Sequence, residues 1–99
     1  MEYQIKKDTN GIKEIDFGPG RSVQGFYQLA QKLENILDIR FHTKQNDFNT
    51  FTWRYAYMNV PFALHHDWFS GTKISIESIP SDREEEQVLE EMAALIKPF

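Results

Sequence analysis

Apolar residues recur along the chain with two different periods, and the switches between them predict the elements. Tyr3 to Lys7 is short and mixed in character. Asp8-Thr9-Asn10-Gly11 follows as a turn, because Asn and Gly tolerate positive φ. Ile12 to Phe17 then returns with Ile15 and Phe17 on one face, which predicts a hairpin. Gly18-Pro19-Gly20 breaks the pattern, and Ser22 is placed to cap a helix by accepting from a backbone amide. Val23, Phe26, Tyr27, Ala30, Leu33 and Leu37 recur at spacings of three and four and form one stripe, with Gln24, Gln28, Gln31, Lys32 and Asn35 mostly opposite.

From Asp38 the period falls to two. Ile39 and Phe41 alternate with Arg40 and His42, so a strand is expected to begin there, followed by a polar loop from Thr43 to Asn49. Thr50 to Met58 reads as a strand with Phe51, Trp53, Tyr55 and Tyr57 on one face and Thr52, Arg54, Ala56 and Met58 on the other. Asn59 suits a turn. Val60, Phe62, Leu64 and His66 alternate with Ala63 and His65, Phe69 to Thr72 turns the chain, and Ile74 and Ile76 mark a last strand. Ser81 at the cap with Glu84 three residues on reads as a capping box opening a second helix, whose stripe is Val88, Leu89, Met92, Leu95 and Ile96 and which Pro98 ends.

The order is therefore ββαββββα. It predicts an α+β two-layer sandwich, an antiparallel sheet of about five or six strands with both helices on one face. The chain's 99 residues suit a single domain spanning 1–99.

Composition narrows the function more than it identifies it. Forty per cent hydrophobic and 14% aromatic residues support a packed core. With no cysteine, the chain has no disulfide, thiolate metal site or thiol nucleophile. No apolar run nears the ~20 residues of a membrane span. The N-terminus lacks the basic-then-apolar layout of a secretory signal, so the sequence reads as cytoplasmic. A net charge of −4 argues against nucleic acid as a partner, since displacing counterions from phosphate needs a basic surface. Residues 1–50 balance seven basic against seven acidic side chains, and the excess lies in the second half, largely between Asp82 and Glu91.

Four features carry candidate chemistry. His65, His66 and Asp67 form a cluster, with His42 as a third imidazole, but adjacent strand residues point to opposite faces. That places His65 with Asp67 as the one pair at ligand-competent spacing; the expectation is a polar strand end, with one histidine facing solvent and one packed under Trp68, and no metal. The aromatic row Phe51, Trp53, Tyr55 and Tyr57 reads as core, with the hydroxyls of Tyr55 and Tyr57 at its rim beside a small-ligand pocket that also takes in His65, His66, Asp67 and Trp68. Gly18 to Ser22 reads as a turn and cap; it has the elements of an anion cradle but lacks the longer glycine pattern and lysine of nucleotide loops. Glu84, Glu85, Glu86, Glu90 and Glu91 exceed what solubility requires and suggest a face for a basic partner. Arg54 is expected to pair with Glu77 across strands.

No glycine-flanked serine elbow or paired buried carboxylates appear. The sequence therefore suggests a protein-interaction module of inhibitor, immunity or adaptor type, without cofactor or catalytic activity. The alternative is a small-ligand or catalytic site at the His/aromatic cluster. Homodimerisation through the open sheet face or an edge strand is a third reading.

Overall fold

The computed structural model describes residues 1–20, 22–78 and 82–99. Six strands, β1 (Gln4–Lys7), β2 (Lys13–Asp16), β3 (Thr43–Asn46), β4 (Thr50–Tyr57), β5 (Val60–Asp67) and β6 (Gly71–Ile76), form one antiparallel sheet. Helices α1 (Val23–Leu37) and α2 (Arg83–Ile96) complete the order ββαββββα. In space the strands run β1-β2-β6-β5-β4-β3, so the last strand inserts beside the first hairpin.

Register sorts the side chains into two faces. Phe51 opposes His66, Trp53 opposes Leu64, Tyr55 opposes Phe62 and Tyr57 opposes Val60. Leu64 and Ile15 both oppose Ile74, which carries the apolar face on into β6 and β2. Both helices cover this face. Phe26 of α1 stands edge-on to Trp53 at 4.9 Å between ring centroids, and Met92 of α2 meets the Tyr55 hydroxyl. The α1 cap forms as its sequence suggests, with Ser22 Oγ accepting from Gly25 N at 3.0 Å.

The opposite face is uncovered and polar. Ala63, Thr52, His65 and Ser75 lie at its middle, flanked by Arg54–Glu77 at 2.9 Å, Lys73–Glu14 at 3.5 Å and Lys6–Asp16 at 3.2 Å. Such an alternation of apolar and polar faces is what lets an antiparallel sheet meet water on one side. The Arg54–Glu77 pair is the one the sequence suggested.

Several expectations need correction. Ile39 to His42 is not a strand. Ile39 is buried and Phe41 is half-buried, edge-on to Trp53 and Tyr55, so these side chains fill the core from an irregular connection. The strand is instead Thr43–Asn46 in the polar stretch, where pairing with β4 holds it at the sheet edge. Neither of its faces is buried, so no apolar period marks it. The capping box lies one residue later than expected: Asp82 accepts from Glu85 N at 2.9 Å and Glu85 accepts from Asp82 N at 3.1 Å. Ser81 lies outside the described residues. On the helices, Phe26, Ala30, Leu33, Leu37, Leu89, Met92 and Ile96 are buried as expected, but Leu29 and Ala93 are buried too whereas Tyr27 and Leu95 are exposed, a turn of each stripe by well under one position. Tyr55 is not at a rim. It is fully buried, its hydroxyl donates to Met92 Sδ at 3.3 Å, and burial pushes its phenol far above the ordinary value.

Candidate interaction surface

The register places the start of β1, the end of β2, the β3–β4 turn and the β5–β6 turn at one end of the sheet. Gln4 opposes Asp16, Asp16 opposes Lys73, Asp67 opposes both Gly71 and Thr50, and Asn46 opposes Phe51. This end carries a concentration of exposed aromatic rings. Phe48 is 94% exposed, Phe69 85%, Trp68 51% and Tyr27 45%. Burying such side chains is worth about 1.5–3 kcal/mol each, so water is a poor final environment for a group of them.

Hydrogen bonds fix the backbone of the turns that carry these residues. Asp67 Oδ1 accepts from Phe69 N at 2.7 Å and from Ser70 N at 3.2 Å, and these bonds hold its carboxyl below the ordinary carboxylate range. Asp47 N donates to Thr50 O at 2.8 Å, and Trp68 N donates to Asn49 O at 3.3 Å, which ties the two turns together. Behind the turns, Trp68 stands edge-on to His66, His66 lies against Phe26 and Phe51, and Tyr27 stacks on Phe51. His66 is buried and its Nδ1 bonds Thr72 Oγ1 at 2.8 Å.

An open groove of about 730 Å³ lies on the same end at the other side of the sheet. Its apolar lining comes from Met1, Tyr3, Phe17 and Pro19, with Tyr3 and Phe17 edge-to-face at 6.4 Å. Lys6, Lys97, Glu2 and Asp16 supply its charge, and Asp16 is tied to Lys6 and to Gly18 N.

The six residues singled out as a small-ligand site do not converge. His65 and His66 lie on opposite faces, as the alternation required. His66 packs against Trp68. His65 and Asp67 share the open face. Tyr57 sits at the far end beside the β4–β5 turn, and Tyr55 is inside the core. Neither the groove lined by Tyr3 and Phe17 nor the one beside Met58 and Asn59 is lined by any of the six.

The open face does bring a serine to a histidine. His65 Nε2 lies 2.9 Å from Ser75 Oγ, and its Nδ1 lies 3.2 Å from Thr52 Oγ1. Burial lowers the His65 pKa; Lys73 and Arg54 act the same way and Glu77 opposes them. The imidazole's second nitrogen meets a hydroxyl where a nucleophile–base pair would have an orienting carboxylate. Ser75 and His65 sit inside paired strands whose amides serve the ladder rather than an oxyanion. No group of three or more metal-ligating side chains occurs among the described residues. Arg21, the basic member of the Gly18–Ser22 segment, lies outside them.

The acidic helix face is partly used internally. Glu85 closes the capping box and also accepts from the Ser78 hydroxyl. Glu90 pairs with Lys13 and, with Glu86 nearby, raises that lysine's pKa. Glu84 and Glu91 are exposed, with no cationic partner among the described residues.

The sequence did not single out Phe48 or Phe69. A signal was present in Asp47-Phe48-Asn49 and Phe69-Ser70-Gly71, where an aromatic ring interrupts residues that otherwise make turns. No family model matches the chain, and no curated protein or solved structure matches it. No helix is long and apolar enough to cross a membrane.

Proposed function

We propose that the chain is a non-catalytic protein-interaction module that docks through the end of its sheet bearing Phe48, Trp68 and Phe69. The observation that carries this is the near-complete exposure of Phe48 and Phe69 on two turns fixed to each other by a backbone hydrogen bond. Aromatic side chains are among those that most often anchor an interface, and a turn whose backbone is already fixed has less freedom to lose on binding. The cysteine-free composition suits a reducing compartment such as the cytoplasm.

The exposed carboxylates of Glu84 and Glu91 favour a second contact, a basic partner drawn to α2. The unpaired charge there is smaller than the count of five glutamates suggests, so its contribution is to the rate of encounter.

The test is cross-linking in extract of the chain's own cells, comparing wild-type with Phe48→Ser/Phe69→Ser. Untagged copies of the chain are included as a candidate partner. A polypeptide cross-linked to wild-type and lost from the variant is the expected result. Identical profiles for two equally stable proteins would remove this end as the docking surface.

A further inference from the structure

We infer that the partner at this end is a second copy of the chain, with Phe48 of each protomer seated in the Tyr3–Phe17 groove of the other. This rests on the reading of the aromatic end as a docking surface and names its occupant.

The argument starts from shape. Phe48 projects from a turn, so it needs a concave apolar acceptor. The groove walled by Tyr3, Phe17, Met1 and Pro19 is such an acceptor, and it opens on the same end of the same sheet. Strand order then decides the symmetry. The groove belongs to β1 and β2 on one side of the sheet, and Phe48 to the β3–β4 turn on the other. The β5–β6 turn, with Trp68 and Phe69, falls between them. A twofold axis through the middle of this end carries each β3–β4 turn onto the partner's β1–β2 side. Both grooves are filled at once, and Phe69 meets its own copy near the axis. Such an isologous contact closes on itself and leaves no apolar surface to propagate.

One charge pair agrees in sign, in a groove whose two lysines are matched in number by Glu2 and Asp16. Asp47 stands beside the projecting ring, and its side chain is exposed. The groove offers Lys97, whose ammonium has no carboxylate partner among the described residues. Its other lysine, Lys6, is held by Asp16. Asp67, nearer the axis, is turned back onto the amides of its own turn. The acidic start of α2 lies beside Met58 and Asn59 at the opposite end of the sheet, so the charge excess is kept away from the contact.

The experiment is analytical ultracentrifugation of the full chain over a range reaching millimolar concentration. Wild-type is expected to sediment as a reversible dimer. Phe48→Ser is expected to weaken it by about tenfold or more, as for loss of one aromatic anchor. Asp47→Lys and Lys97→Glu are each expected to weaken it about threefold to tenfold, and the double variant to recover to within about twofold of wild-type. Recovery on exchanging the two charges is a result that a general loss of stability cannot produce. A monomer at every concentration, an open ladder of larger species, or a double variant no better than either single one would overturn the inference. A monomeric wild-type whose cross-linking in extract still depends on Phe48 would leave the docking surface standing with a different partner. Loss of that dependence as well would remove both.

Discussion

Gly71 lies against Gly18 so closely that a Cβ on Gly71 would stand 2.3 Å from the Gly18 carbonyl oxygen. Gly71 also has φ +95°, a region closed to most side chains. The same carbonyl accepts from Thr72 N at 3.3 Å, and Phe17 N donates to Thr72 O at 2.9 Å. The β5–β6 turn and the wall of the groove are thereby fixed to each other. Gly71→Ala is expected to cost about 2–4 kcal/mol, from backbone strain plus a clash with main chain. Urea denaturation measures it, and a cost below about 1 kcal/mol would show that the two loops can separate cheaply.

His65 gives the protein a pH dependence of known sign. Its folded pKa lies below the ordinary value of 6.5, mainly through burial, so the unfolded chain binds its proton first as pH falls. Stability is therefore full above the unfolded pKa, declines as pH drops through it, and levels off below the folded pKa. His65→Gln keeps a partner for Thr52 and Ser75 and removes the titration. Denaturation at several pH values between about 5 and 8 should show a shallower decline for the variant than for wild-type. Parallel curves would mean that His65 is not desolvated.

Tyr55 gives the protein a phenol that resists ionisation. Burial holds its phenol neutral far into the alkaline range. An absorbance titration should leave one tyrosine unionised until the protein unfolds. Tyr55→Phe is expected to cost no more than about 1 kcal/mol, because a thioether is a weak acceptor and the ring's packing is retained. A larger loss would give the hydroxyl a structural role beyond that contact.

Met58 and Asn59 form the two-residue β4–β5 turn with φ +53° and +64°. Both angles belong to the mirror-image turn that follows strand twist, and Asn suits them far better than Met. Met58 is exposed, so Met58→Asn loses little packing. It is expected to raise stability by about 0.5–1 kcal/mol, read as an increase in melting temperature. An unchanged or lower melting temperature would mean that Met58 supports the turn through a contact of its own.

Asp82→Ala removes the acceptor for the Glu85 amide and is expected to cost about 1 kcal/mol. Glu85→Ala should cost a similar amount, since it also releases the Ser78 hydroxyl. Thermal unfolding of the two variants compares them, and a neutral Asp82→Ala would show that the cap lies elsewhere.

The fold was legible where burial imposes a period. β4 and β5 have one face in the core, so their alternation appears in the sequence, and His65 and His66 could be assigned opposite faces from it. β3 was hidden because an edge strand wet on both faces has no period; Lys44 even lays its ammonium over the Trp53 ring, 4.6 Å from the centroid. Ile39 and Phe41 misled for the opposite reason. Their burial is real, but it comes from the chain's path rather than from a strand. The capping signal was ambiguous because Ser81-Asp82 followed by Glu84-Glu85 fits two frames, and only backbone geometry chooses. The interaction surface was the least legible part. Phe48 and Phe69 lie 21 positions apart and come to the same end of the sheet only through strand pairing, which no local pattern encodes.

The sheet's strand order also bears on how the protein assembles. β3 to β6 is a run of adjacent hairpins whose contacts are local in sequence, whereas β2 must find β6 across most of the chain, joining Ile15 to Ile74. Local contacts close with little loss of chain entropy, and distant ones late. A nascent molecule with only the hairpin run in place has Phe48 and Phe69 displayed but no groove to receive them. Mutual recognition between copies is thus withheld until the β1–β2 hairpin has joined β6 and Lys97 has come to lie beside it.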